Sequence, residues 1–357
     1  MRPLRPILAL ALFAVLAMPA RAQLAISPPG ETPPPAATPK AKAPAPAPAP
    51  AKQPAKPAAK APAKAEPQST QSVPPGTDIA FGAYQRGFYL TAFSTATKRA
   101  TENNDIKAMT LLGELYANGH GIPQNDLKAI EWYRLAADRG DREAMFALAM
   151  LKMTGRGGAR DREGATKLLA AAAKLGHALA AYDLGLLYLE GQLFPQDFGR
   201  AAELFRAAAN AGNAEAQYAL ATLYKEGRGV AKDPRQSARL LSAAALAGNV
   251  DAEVEFGIAL FNGEGVTKDE ARAATVFLKA ARKGSAIAQN RLARIFAVGR
   301  GMSADPVEAT KWHLISKANG GSDLFLEDFI RKQSPETREA AEKAAEPWLT
   351  MIKASRS

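Results

Sequence analysis

The chain has 357 residues, 47% of them apolar, 7% aromatic and none cysteine. That excludes disulfides, thiolate metal sites and cysteine nucleophiles, and leaves burial as the means of stabilisation. The net charge of +11 is spread along the chain, with +3 in residues 1–22, +4 in 23–77 and +4 in the remainder, so no strongly basic folded face is expected and nucleic-acid binding has little support.

Residues 1–22 read as a secretory signal peptide. Arg2 and Arg5 precede an apolar run from Ile7 to Ala17, and Ala20-Arg21-Ala22 supplies small residues at a cleavage site. The run is short of the ~20 apolar residues of a spanning helix, and Pro19 follows it. A periplasmic or secreted chain is expected, with no transmembrane helix after cleavage; an uncleaved anchor is the alternative.

Residues 23–77 form a linker rich in proline, alanine and lysine. Residues 28–75 hold 16 of the 25 prolines, six lysines and no aromatic residue. Such a segment cannot build a core; proline–alanine alternation favours polyproline II, and the 55 residues could span roughly 170 Å. Either it is an inert tether, or its lysines touch peptidoglycan or another anionic surface.

From residue 78 onward a register of thirty-six takes over. Gly119, Gly155, Gly191, Gly227, Gly263 and Gly299 are spaced by 36, each preceded by an alanine at eleven residues and followed by a glycine at twenty-one. An uninterrupted period of this length is the signature of a solenoid. Ala216, Leu220, Ala221 and Tyr224 share one helical stripe, and Ala201, Leu204, Phe205 and Ala208 share another, so each unit is predicted to be a helical hairpin. A small residue beside each first-helix leucine leaves room for the second helix. In Glu226–Pro234 the first glycine ends one helix while Asp233 caps the next, with Pro234 in its first turn; Asp305-Pro306 repeats the device. This glycine pair is a turn, not a phosphate loop, and the replacement of its second member by Leu193 in the third unit is read as tolerable for a turn.

The stretch from Ala214 to Asn249, with alanine, Leu-Ala, Tyr, Gly-x-Gly, Asp, Ala-Ala and Gly at fixed intervals, resembles a Sel1-like repeat. Six registered copies cover about residues 105–321, and the sixth departs at Ser316-Lys317. The expected fold is therefore all-α. It is an α/α superhelical solenoid over residues 78–321, with six 36-residue helix-turn-helix repeats and a leading half-repeat whose closing position is Asn104. Residues 322–357 are a C-terminal helical cap, begun by Ser334-Pro335 and carrying Trp348 and Leu349 over the last open face.

No catalytic constellation stands out. His120, His177 and His313 lie in separate repeats and are read as surface or capping residues; the common serine-acylation signatures are absent, and no cofactor is expected. The resemblance implies that the first helix of each pair lines a concave wall. Phe146, Met150, Tyr182, Leu186 and Tyr218 would then floor a groove for a peptide or protein partner in the cell envelope, unless curvature buries them between neighbouring helices. The expected function is a non-enzymatic, periplasmic interaction scaffold. The alternative is an enzyme or inhibitor acting on the cell wall, since some cysteine-rich members of the resembled family have been called β-lactamases.

Overall fold

The computed structural model describes residues 78–356; the signal and linker readings lie outside the described residues. Among these residues there are sixteen α-helices and no strand. The leading unit is broken by Gly87, at φ +81, into α1 (Ile79–Gln85) and α2 (Tyr89–Glu102), and Asn104, at φ +51, closes it in the left-handed conformation. Six hairpins follow: α3 (Ile106–Asn118) with α4 (Asp126–Ala137), α5 (Arg142–Thr154) with α6 (Arg162–Lys174), and α7 (Ala178–Glu190) with α8 (Phe198–Asn210). The series continues with α9 (Ala214–Glu226) and α10 (Pro234–Leu246), α11 (Val250–Asn262) and α12 (Glu270–Arg282), and α13 (Ala286–Val298) and α14 (Pro306–Ala318). Helix α15 (Leu324–Arg331) and helix α16 (Pro335–Ala354) end the stack. From α1 to α15 each helix packs on the next in chain order, the nearest-neighbour pattern of a solenoid, and α16 packs back on α14.

Local chemistry sets the boundaries. Each first helix ends on its register glycine with φ between 67° and 78°, a backbone conformation that costs other residues about 1–2 kcal/mol. Each second helix starts on an acceptor side chain that takes a backbone N–H: Asn125, Asp161, Asp197, Asp233, Asp269 or Asp305. Pro234 and Pro306 occupy first-turn positions where no N–H is missed.

Inside the hairpins, the small residue after the first-helix leucine or phenylalanine matches the size of the second-helix residue twenty positions on. A Cβ on Gly113, Gly185 or Gly257 would stand 2.5–2.7 Å from the ring of Tyr133, Phe205 or Phe277. Where the small residue is Ala149 or Ala221, the second helix offers the smaller Leu169 or Leu241. In the sixth repeat Ala293 faces the same register, and the residue twenty positions on is His313, 2% exposed. This corrects its reading as a surface or capping residue. Burial pushes its pKa down, and neither ring nitrogen has a hydrogen-bond partner, so the ring is a neutral core side chain. Helix α16 closes the stack against α14: Ser334 accepts from Thr337 N–H, and the Trp348 ring lies 5.4 Å from that of Trp312.

Candidate interaction face

Polar bridges join several of the first helices to the next one or to its N-cap. Tyr84 donates its hydroxyl to Glu114 (2.8 Å). Thr110 donates to Asp141, the N-cap of α5 (3.1 Å). His177 caps α7 through Nδ1, which accepts from Ala180 N–H, while its Nε2 lies 3.0 Å from Glu143; its ring stacks on Phe146 at 4.4 Å. Lys225 reaches Glu255 at 2.6 Å. Asn290 and Arg294 both hold Asp323, the N-cap of α15, at 2.8 and 2.5 Å. Burial alone would raise the Asp323 pKa; these hydrogen bonds overcome it and hold the carboxyl at about 2. The polar ends of the row, Thr110, Glu114, Asn290 and Arg294, are thus already engaged within the chain.

The five residues expected to floor a groove divide into two sets. Tyr182 is 4% exposed and Leu186 0%, so both are core. This corrects their assignment to an open floor: in the third repeat both side chains pack into a core cluster with residues of α8 and α9, and the Tyr182 ring lies 5.7 Å from that of Phe205 on α8. Phe146, Met150 and Tyr218 remain partly exposed on the same face, joined by Ile258 and Phe261 of α11. The structural glycines and caps, Gly119 to Gly299 with Asp233 and Asp305, close turns and begin helices as described above.

Sequence reading missed a group at the centre of this face. Asp183, next to Tyr182, is 0% exposed and neither carboxylate oxygen has a hydrogen-bond partner. Burial pushes its pKa up to about 7. Asp183 occupies the repeat position of Glu255. Thirty residues before Glu255 stands its partner Lys225; thirty before Asp183 stands Met153, buried and uncharged. The comparison of repeats was the available signal, and it shows an acid without its cation.

Further carboxylates surround the two tyrosines. Burial raises the Tyr182 pKa, helped by Glu215 and Asp183; burial raises that of Tyr218, helped by Asp251, Glu255 and Glu226. Asp251 is itself raised, by burial and then by Glu255. Glu190, at the end of α7, is raised by burial with Arg162 opposing. The histidines are not brought together, and no group of three or more metal-ligating side chains forms among the described residues.

Asp183 makes stability depend on pH. Its folded pKa of about 7 exceeds the ordinary 3.8, so the folded state holds the proton more tightly. Below about pH 4 both states are protonated and nothing is lost. Between about pH 4 and 7 the unfolded chain ionises first, so stability falls as pH rises, by roughly 2–4 kcal/mol, and above 7 the loss is constant. Asp183→Asn is expected to remove that part of the slope in urea titrations at pH 5 and 8. A slope unchanged by the substitution would show that the carboxyl is solvated.

Stacked helical hairpins with a bridged, partly apolar first-helix face define the class: an α/α repeat protein whose usable surface is an extended row of side chains. The Sel1 repeat model matches residues 106–141, 142–177, 178–213, 214–249, 250–285 and 286–320, and the chain belongs to the Sel1 repeat family. It is similar to a Sel1 repeat protein from Oxalobacter formigenes, at 26% identity over 67% of this chain and 97% of that one, with a TM-score of 0.59. It also matches c5321, a protective antigen present in uropathogenic Escherichia coli strains, at 27% identity over 74% of this chain and 67% of that one, with a TM-score of 0.48. No curated protein matches the chain. Sel1 repeat solenoids are commonly protein–protein interaction scaffolds. No helix among the described residues is long and apolar enough to cross a membrane.

Proposed function

We propose that this chain is an exported, non-enzymatic scaffold of the cell envelope that holds a protein or peptide partner on its first-helix face, the wall that stacked hairpins turn inward. The observation that carries this reading is the exposed remainder of that face. Phe146, Met150, Tyr218, Ile258 and Phe261 keep part of their apolar surface in solvent, between polar groups that are spoken for. Aromatic side chains at the centre of such a row supply most of the affinity in interfaces of this kind. Export rests on the order of charge, apolar run and small residues in 1–22, and the lysine-bearing linker would let the solenoid work at a distance from an anchoring surface.

A photo-crosslinking residue at Tyr218 is expected to trap a discrete partner in cells, while the same residue at Arg239, exposed on the second helix α10, traps none. Equal capture from both faces would overturn the assignment of the face. Export is checked separately by the N-terminus of the purified mature chain, expected at Gln23; an intact Met1 would overturn it. Turnover of a β-lactam or of peptidoglycan by the pure protein would end the scaffold reading.

A further inference from the structure

We propose that the first-helix face of repeats three to five is a receptor for a basic side chain, lysine or arginine, presented by an extended segment of a partner protein, with Asp183 as the carboxylate that takes it. This deepens the scaffold reading and rests on it. Helices α7, α9 and α11 carry seven carboxylates, Asp183, Glu190, Glu215, Glu226, Asp251, Glu253 and Glu255, against a single cation, Lys225. Glu253 turns away to Lys279 and Lys283 of α12 (2.7 and 2.8 Å), and Lys225 is taken by Glu255. Glu226 meets Arg228 of the following turn at 3.4 Å, and Arg162 lies toward Glu190, which leaves Asp183, Glu215 and Asp251 as the carboxylates of this face without a cation, grouped about Tyr182 and Tyr218.

Acidic residues in number are usually a solvated surface. Asp183 is not. It is wholly buried, it makes no hydrogen bond or ion pair, and it stands on the face at which its counterpart Glu255 meets a lysine. A buried carboxyl with two unfilled oxygens weakens the fold, and such groups in native proteins ordinarily find partners. Cations of the neighbouring elements do not reach it: Lys152 of α5 is held by Asp161 at 2.7 Å, and Arg162 of α6 lies toward Glu190. The titratable group coupled to it is Tyr182, which also feels Glu215, and neither supplies positive charge at neutral pH. The His177 pKa is pushed down by burial, against the pull of Glu143.

A cationic side chain from outside supplies what the fold withholds, in the register where the fifth repeat uses Lys225. Entry requires Met153, buried at the register position where the fourth repeat has Lys225, and its partly exposed neighbour Met150 to move aside. Both are unbranched and flexible, the side chains most able to move aside for an incoming stem. Tyr218, partly exposed beside Asp251 and Glu255, offers a ring face to the next cation along the segment. Occupancy converts Asp183 from a shared protonation state to the carboxylate. Binding near pH 7 therefore releases about half a proton, and affinity falls tenfold per pH unit below that pKa.

The test uses the mature chain and a fluorescein-labelled nonapeptide of alternating alanine and lysine, with the alanine–glutamate nonapeptide as control. The lysine peptide is expected to bind and the glutamate peptide not. Asp183→Asn is expected to weaken lysine-peptide binding at least tenfold at pH 7.5, while its melting temperature at that pH is unchanged or higher. Calorimetry in phosphate and Tris buffers is expected to show proton release that the variant abolishes. Equal affinity of variant and parent, or binding without proton release, would overturn the role of Asp183. Should the lysine peptide fail to bind while the Tyr218 crosslink still traps a partner, the cationic chemistry is wrong and the scaffold reading stands. Should the crosslink also fail, the scaffold reading falls with it.

Discussion

Replacing Gly265 with alanine is expected to destabilise the solenoid by ~3–5 kcal/mol, the sum of a left-handed backbone and a steric overlap. The residue has φ +70, and an added Cβ would stand 1.9 Å from the carbonyl oxygen of Pro234 and 2.3 Å from its carbon. Those are main-chain atoms at the start of α10, unable to rotate away as a side chain would. The turn of the fifth repeat must therefore lift off the second helix of the fourth. Stability in a stack of repeats is approximately the sum of unit and neighbour terms, so damage at one junction should appear as local loosening before global unfolding. Amide protons of α10 to α12 are expected to exchange faster than those of α3 to α6, and the thermal transition to broaden or divide. Gly248→Ala is the control. It has φ +95 but open space about the Cβ, so only the backbone term applies, about 1–2 kcal/mol. Equal losses for the two variants would mean that the junction is not held at Gly265.

That pair of glycines shows how far the sequence could be read. The first glycine is a helix stop, and its role followed from the spacing of alanine, leucine and aspartate around it. The second glycine looked dispensable because the third repeat has Leu193. In the structure Gly121, Gly157, Gly229, Gly265 and Gly301 all have φ between 70° and 82°, and each is pressed against the start of the preceding repeat's second helix. At the third turn the chain takes another path, with Phe194 stacked on Tyr188 at 4.9 Å. A contact between repeats does not show in the pattern within one repeat. The same limit explains Tyr182 and Leu186: helical periodicity put them on the first-helix face, and only the approach of neighbouring helices decides whether that face is open at a given repeat. His313 was legible by a different comparison, since the pairing of glycine with an aromatic and alanine with a leucine twenty residues on leads from Ala293 directly to it. Asp183 shows the converse. Its burial could not be foreseen, but Lys225 and Glu255 supply the pattern that makes its missing partner visible.

Tyr182→Ala is the second substitution with a large expected effect, a loss of ~3–5 kcal/mol, as for truncation of other buried aromatic side chains. The ring is 4% exposed and lies against Phe205, which itself fills the space opened by Gly185, so the cavity would sit where a first helix meets its second. Tyr218 holds the same register position one repeat later and remains partly in solvent, with its hydroxyl side among Asp251, Glu255 and Glu226. Tyr218→Ala is expected to cost much less, about 1–2 kcal/mol, because less apolar surface leaves the core. The two should part in the opposite sense in binding. A partner held on the first-helix face loses a contact when Tyr218 is truncated, while Tyr182→Ala weakens capture only as far as it unfolds the third repeat. Chemical denaturation of both variants beside the crosslinking yield at Phe146 separates the cases. If Tyr182→Ala left stability unchanged and abolished capture, the ring would be part of the binding surface and the third repeat would have to open in solution. A loss of stability with capture retained below the unfolding midpoint places the ring in the wall that supports the surface, and leaves Phe146, Met150 and Tyr218 as the apolar groups that meet the partner.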